Sequence, residues 1–441
     1  MTDKIDLDMV SLTDGLEDEC TSRMEGRVSR VIGLTLESRG PRISLGDLAW
    51  IETVDNHEVK RVPAEVVGFQ ERSVLLMPIE RLGGVRPGSR VIPGGRLSAR
   101  AGPGLLGRVL DGLGRPIDNG GEPDRTVPVN VDALAPAPLQ RESLNEVFTT
   151  GVRALDGLIT CAKGQRLGLF SGSGVGKSVL LGSLARNSCA TVNVVALIGE
   201  RGREVTDFLR NCLGEEGLKK SVVVVATSDE SPLMRIKGAA TAMAIAEYFR
   251  DQGEHVLFLM DSVTRYGMAQ REVGLAVGEP PTTKGYPPSV FGLLARLLER
   301  SGASAKGSIT AYYTVLVEAD DMNDPIADAA RSILDGHVTL SRDLAEANHY
   351  PAIDVLASLS RVMNAVVSEK HRQAAGKFRS LLSAYRKAED LINIGAYVAG
   401  SNPTIDEAVK KIGAMDAFLM QPPDETVAWD VMLGQLLKIV E

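Results

Sequence analysis

The stretch "LGLFSGSGVGKSVLLGSLARN", residues 167–187, decides how the rest of the chain is read. Its centre comes close to the phosphate-binding pattern G-x-x-x-x-G-K-[ST], closed by Gly176, Lys177 and Ser178, with Ser171 where the strict pattern has glycine. "RLGLF" before it reads as an apolar strand and "KSVLLGSLARN" as the helix that follows, the context the motif requires. Gly172, Gly174 and Gly176 allow the backbone of Ser173, Gly174, Val175, Gly176, Lys177, Ser178 and Val179 to approach phosphate oxygens closely. The helix N-terminus adds its positive dipole end. Lys177 reaches the β- and γ-phosphates, and the Ser178 hydroxyl takes a place on Mg²⁺. Ser171 is small and sits at the strand exit, ahead of the tightest part of the cradle, so a side chain is tolerated there.

Outward from this loop, apolar runs such as "VNVVALIG", "SVVVVATS", "HVLFLMD" and "SITAYYTVLV" alternate with helical stretches such as "KGAATAMAIAEYFRDQG". Continuous apolar strands separated by helices predict an α/β fold with a mainly parallel sheet covered on both faces, placed over residues 99–370. "HVLFLMD" ends in Asp261, a carboxylate placed to hold Mg²⁺ through its water shell. "VVALIG" leads into Glu200 of "GERGREV". Spacing leaves two readings for Glu200: a group that orients and deprotonates an attacking water, or an ion-pair partner of Arg201 or Arg203. Residues 24–98 change texture to short β-branched runs, "GRVSRVIGLTLE", "LAWIET", "AEVVGFQE" and "SVLLMPIE", whose close spacing predicts a small N-terminal β-barrel. Residues 371–441 read as a C-terminal helical domain. Residues 1–23 carry seven acids with Ile5, Met9, Leu12 and Leu16 at helical spacing, read either as a partner-docking helix or as a solvated tail.

Composition narrows the function classes. A formal charge of −8 and a barrel whose aromatic residues are Trp50 and Phe69 argue against a nucleic-acid partner, which calls for a basic groove with exposed aromatics. The four cysteines are irregularly spaced with no C-x-x-C, so they read as reduced thiols rather than a zinc or disulfide framework. The acidic N-terminus lacks a signal-peptide layout, and no run reaches the roughly 18 apolar residues a bilayer span needs, which places the chain in the cytoplasm.

Several long collinear motifs together resemble the catalytic subunits of rotary ATP synthases and vacuolar-type ATPases. They are "LGRVLDGLGRPIDNGG", "TGVRALDGLITCAKGQRLGLFSGSGVGKS", "IGERGREV", "MDSVTRYGMAQREVGLAVGEPP", "SILDGHVTLSR" and "HYPAIDVLASLSRVM". They resemble the ATPases of type III protein export more closely still, from about residue 24 to the C-terminus. The resemblance implies a RecA-like fold and a homohexamer that hydrolyses ATP with Mg²⁺ at subunit interfaces. It puts the catalytic glutamate on Glu200 with Arg201 beside it, the metal-side aspartate on Asp261, the arginine finger on Arg361, and the aromatic against adenine on Tyr350. It further implies a stator-like negative regulator, a coiled-coil protein in the pore, export chaperones with their substrates, and a membrane export gate that the ring contacts peripherally at the inner membrane. "DSVTRYGMAQRE" and "PPTTKGYPPSVF" resemble the flagellar branch, whereas "DDMN" leans towards virulence injectisomes. Three alternatives are weighed alongside. A non-catalytic ring subunit conflicts with the presence of Glu200, and a ring RNA translocase conflicts with the acidic composition. A rotary synthase subunit conflicts with the missing acidic lever motif near the C-terminus.

Overall fold

The computed structural model describes residues 24–55, 58–317 and 324–441. The acidic segment 1–23 and the "DDMN" stretch at 320–323 lie outside the described residues. Contacts divide the chain into two compact units, Met1–Leu97 and Ser98–Glu441.

The first unit is a closed six-stranded antiparallel barrel. Its strands are β1 (Gly26–Ile32), β2 (Thr35–Arg39), β3 (Leu48–Asp55), β4 (Glu58–Gln70), β5 (Ser73–Pro78) and β6 (Arg90–Gly95), in the order β1-β2-β5-β4-β3-β6. Residues two apart point inward, as the pleat demands: Ala49 and Ile51 on β3, Ala64 and Val66 on β4, Val74 and Leu76 on β5 form the core. The run "GRVSRVIGLTLE", read from sequence as one strand, is a hairpin: Gly33 takes φ +56° between β1 and β2, a conformation glycine adopts at no steric cost.

The second unit is built on a nine-stranded, mainly parallel sheet. Eight strands follow in chain order: β7 (Val109–Asp111), β8 (Arg166–Ser171), β9 (Val192–Ile198), β10 (Ser221–Ala226), β11 (His255–Asp261), β12 (Ser308–Leu316), β13 (Gly336–Leu340) and β14 (Ile353–Ser360). They lie in the order β14-β13-β8-β12-β11-β9-β10-β7. Every residue of β9 and β10 is buried, which is why these strands read as unbroken apolar runs. The helices that cover the faces start on local capping signals. Ser231 accepts from Met234 N ahead of α4 (Pro232–Asp251), and Ser262 accepts from Arg265 N ahead of α5 (Val263–Ala276). Chain order before these runs α1 (Arg153–Leu158), α2 (Lys177–Asn187) and α3 (Gly202–Asp207).

The C-terminal helices α6 (Glu369–Asn393), α7 (Pro403–Leu419) and α8 (Trp429–Val440) share one apolar core with this sheet. Phe378, Phe418 and Met432 join Leu169, Leu181 and Val195 in it. The boundary drawn from sequence at residue 371 falls inside α6, whose N-cap is Ser368. A helix runs through it because Ser368, the true punctuation, accepts from His371 N. Among the described residues no helix is long and apolar enough to cross a membrane.

Candidate active site

The site forms where β8, β11 and β9 end on the same edge of the sheet. β8 leaves the core at Ser171, whose backbone oxygen accepts from Val317 N, and the loop then turns into α2. Gly174 and Gly176 hold φ of +80° and +87°, in the left-handed region, so glycine is required at these two positions. Ser171 is not among the positive-φ residues, which explains why a serine fits; its buried hydroxyl has no hydrogen-bond partner. Val175 is buried in the core beneath the loop, while Ser173, Gly174 and Val179 are exposed and Ser178 half-buried at the first turn of α2.

Three charged groups converge over this loop. The Lys177 Nζ lies 2.5 Å from Asp261 Oδ1 and 3.8 Å from Glu200 Oε1. The same Asp261 oxygen accepts a 2.8 Å hydrogen bond from Thr314 Oγ1 of β12. All three charged side chains are at least 87% buried, with exposures of 13%, 5% and 12% for Lys177, Asp261 and Glu200. Glu200 Oε1 has no hydrogen-bond partner. Burial, reinforced by the negative charge of Asp261 and opposed by Lys177, pushes the Glu200 carboxyl up to about 8. Glu204, one turn on in α3, hydrogen-bonds Glu200 and is held below the usual carboxylate range by it. Of the two readings of Glu200, ion pairing with its neighbouring arginines is not what the structure has: Arg201 is exposed and pairs with Glu204 at 3.6 Å.

Two residues at this centre carried no recognisable signal in the sequence. Thr314 is one. Arg265 of α5 is the other: its Nε is buried without a partner, and its stem packs so closely on Gly199 that a Cβ there would sit 2.6 Å from Arg265 Cβ. Gly199 has φ +74°, so this close approach and the backbone turn both demand glycine immediately before Glu200.

The direction of β14 separates the two remaining residues. β13 runs parallel to β8, with Ser171 beside Leu340, and β14 runs antiparallel to β13, pairing Ile353 with Leu340 and Ser360 with Gly336. Tyr350, just ahead of β14, therefore sits at the loop edge, where its ring lies 3.4 Å from the position of a Cβ on Gly176. It closes a cavity of about 380 Å³ with Val179, Leu180, Gln421, Pro422 and Pro423. Arg361 follows the other end of β14. Its N–H donates to Asp335 O and Asp335 N donates to Arg166 O, which places Arg361 beside the start of β8. At about 3.3 Å per residue, the six-residue strand β8 holds it roughly 16 Å from the loop at the other end. Arg361 is exposed, with Nη2 donating to Arg331 O at 3.3 Å.

The oxygens present suit Mg²⁺. A hydroxyl at Ser178, a carboxylate at Asp261 and the unpartnered Glu200 oxygen form a hard, all-oxygen set. No group of three or more His, Cys, Asp or Glu that could hold a metal ion is found among the described residues.

A loop shaped by glycines in the left-handed region, a lysine at its end and two strand-end carboxylates beside an apolar cavity define a P-loop ATPase on a RecA-like sheet. Residues 151–360 match the nucleotide-binding domain of the ATP synthase alpha/beta family, and residues 367–438 match the T3SS EscN ATPase C-terminal domain. The chain is 52% identical to the flagellum-specific ATP synthase of Bacillus subtilis over 97% of its own length and 98% of the relative's. It is 50% identical to the type 3 secretion system ATPase of Xanthomonas euvesicatoria, over 95% of each. The assembled ATPase EscN of the enteropathogenic E. coli type III secretion system superposes with a TM-score of 0.89 at 45% identity, over 94% of this chain and 100% of that one. The same ATPase in complex with its central stalk EscO gives 0.87 at 44% identity, over the same shares. The chain thus belongs to the type III export ATPases within the ATP synthase alpha/beta family.

Proposed function

We propose that this chain hydrolyses MgATP as a homohexameric ring serving flagellar protein export, each site being completed by Arg361 of a neighbouring copy. The observation that carries this reading is the separation within one chain: Lys177, Glu200 and Asp261 meet at one edge of the sheet, and Arg361 stands at the other. A guanidinium that cannot reach its own site is suited to reach the next subunit's, where its planar charge stabilises the transferred phosphoryl group.

Lys177 leaves Asp261 for the β- and γ-phosphates. Glu200 orients a water so that its oxygen attacks the γ-phosphorus in line, takes the proton at Oε1, and ADP departs carrying the electrons of the broken bond. A carboxyl held near neutrality is matched to that exchange. Ser178 and Asp261 would hold Mg²⁺, which would supply neutralisation of charge on the phosphate oxygens. Arg201 braces α3 through Glu204, and Tyr350 lies against the base. Arg265, half-buried with a buried, unpartnered Nε and packed on Gly199, adds positive charge from within the subunit.

The flagellar assignment is supported by the 52% identity to flagellum-specific relatives from Bacillus subtilis and Salmonella typhimurium. The complex of EscN with its central stalk EscO supports a stalk partner, which on this reading is a coiled-coil protein in the pore. A stator-like negative regulator docking on residues 1–23, chaperone-bound substrates and an inner-membrane export gate complete the proposed assembly, with the ring in the cytoplasm. The four-part division into residues 1–23, 24–98, 99–370 and 371–441 remains the proposed functional one, although 98–441 packs as one unit.

The test is subunit mixing. K177A and R361A rings are each expected to be nearly inactive while remaining folded. Mixed rings should regain turnover where an intact Lys177 site meets an intact Arg361, and specific activity should climb steeply with protein concentration. Absence of rescue would sink the cross-subunit role. Deleting the gene should abolish flagellar filaments; intact filaments with lost injection of effector proteins would favour the injectisome instead.

A further inference from the structure

We infer that Gln165 is a positioning residue for hydrolysis at the neighbouring subunit's site, its buried carboxamide fixing the backbone from which Arg361 projects; this rests on the cross-subunit reading above. The Arg361 guanidinium is exposed and donates to Arg331 O at 3.3 Å, a bond it gives up on reaching across. Its direction is therefore set by the main chain at Ser360 and Arg361, which has three supports. Arg361 N donates to Asp335 O at 3.0 Å. Ser360 pairs with Gly336 across β14 and β13, where the strands lie so close that a Cβ on Gly336 would stand 2.3 Å from Leu359 O.

The third support is Gln165, in the turn ahead of β8 and 0% exposed. Its Nε2 donates to Asp335 O at 3.1 Å and to Ser360 Oγ at 3.0 Å, while its Oε1 accepts from Ala162 N at 2.9 Å. Both amide hydrogens thus end on the two groups that flank Arg361: the carbonyl that holds its N–H, and the side chain of the residue before it. The reverse amide orientation would set Nε2 against the Ala162 N–H, donor against donor, so the geometry admits one assignment. Asp335 is itself fixed, because its carboxylate takes a two-pronged bond from Arg166, with Nε at 2.9 Å and Nη2 at 3.0 Å.

The same carboxamide is remote from its own subunit's reacting groups. Along β8, at about 3.3 Å per residue, Ser171 is roughly 20 Å from Gln165. Loss of the amide therefore acts on the next subunit's site, where a misplacement of about 1 Å costs on the order of 10²-fold in rate.

The experiment is subunit mixing with full-length Q165M, which keeps an unbranched side chain and removes the amide. Alone, Q165M should lower kcat about 10²-fold and leave the affinity for a fluorescent ADP unchanged. Mixed with K177A, whose Arg361 is intact, it should regain turnover to the level of the K177A and R361A mixture. Mixed with R361A it should not, since neither chain then offers a well-placed guanidinium. The mirror pattern, rescue by R361A and none by K177A, would place the damage in Q165M's own site and overturn the inference, as would wild-type turnover of Q165M alone. Should Q165M fail to fold, S360A decides, since it removes one bond to the amide at a half-buried position. It should show a smaller loss with the same choice of rescuing partner, and wild-type turnover of S360A would equally overturn the inference. Failure of the K177A and R361A mixture itself would break the cross-subunit reading, a result distinct from failure of the Q165M mixtures alone.

Discussion

The two edges of the large sheet do different work with similar residues. At the edge where β8 ends, Lys177, Glu200 and Asp261 lie close together with little exposure, Lys177 bonded to Asp261 and near Glu200, and burial beside Asp261 raises the Glu200 carboxyl. At the edge where β8 begins, Arg361 is exposed and bonds a carbonyl, and its neighbour Arg331 pairs with Asp328 at 3.1 Å in open solvent. Buried edge charges form a reaction centre; exposed edge charges are available to another molecule. On the proposed reading, a chain built this way holds most of one catalytic site and supplies Arg361 to the next.

The largest expected effect tests the remote edge. R361A should lower kcat about 10³-fold while thermal stability and nucleotide affinity stay near wild type, since the side chain is exposed and far from its own loop. A loss of nucleotide binding instead would mean that Arg361 supports its own subunit. At the buried edge, E200Q should keep ATP binding and lower kcat roughly 10²–10³-fold; normal turnover would remove Glu200 from the role of water activation. T314V removes the hydroxyl that holds Asp261 Oδ1 while keeping side-chain shape. It should cost about 1.5–3 kcal/mol in unfolding free energy, the worth of a hydrogen bond to a charged group, and an unchanged denaturation midpoint would show the contact to be dispensable.

The smallest effect is on pH dependence. Glu200 holds its proton up to about 8 in the folded chain, above its ordinary value of 4.5. Between these values the folded state binds more protons than the unfolded one, so the contribution of this group to stability falls as pH rises. In nucleotide-free protein the slope from this group should be negative, at most about 1.4 kcal/mol per pH unit, and E200Q should flatten it. Equal slopes in wild type and E200Q, from denaturant midpoints at pH 5.5, 6.5 and 7.5, would break the contrast between the two edges.

Much of the buried edge was legible before folding. The loop from Ser173 to Val179, Glu200 and Asp261 all lie at or beside the ends of apolar strands, and strand ends are readable because hydrophobic runs stop there. Arg265 and Thr314 were not legible. Each sits inside a helix or strand whose local pattern is ordinary, and each reaches the centre only through sheet order, with β12 beside β11 and α5 following β11. Gln421 and its prolines carry no motif either, since their place in the base cavity depends on α6 to α8 packing into the nucleotide core. The single strand read at "GRVSRVIGLTLE" shows the converse: one glycine at φ +56° turned an apolar run into two strands.

Local sequence determined what depends on neighbours along the chain. Glycines at 174 and 176 permit the left-handed turns of the loop, capping serines start α4, α5 and α6, and unbroken β-branched runs form strands that must be buried on both faces. Only the tertiary structure decided which strand ends became neighbours, because parallel pairing is set by side-chain packing between distant segments. Tyr350 and Arg361 flank one strand, yet the antiparallel course of β14 sends the first to the phosphate loop and the second to the far edge. That reversal of direction leaves each chain's own site without its Arg361.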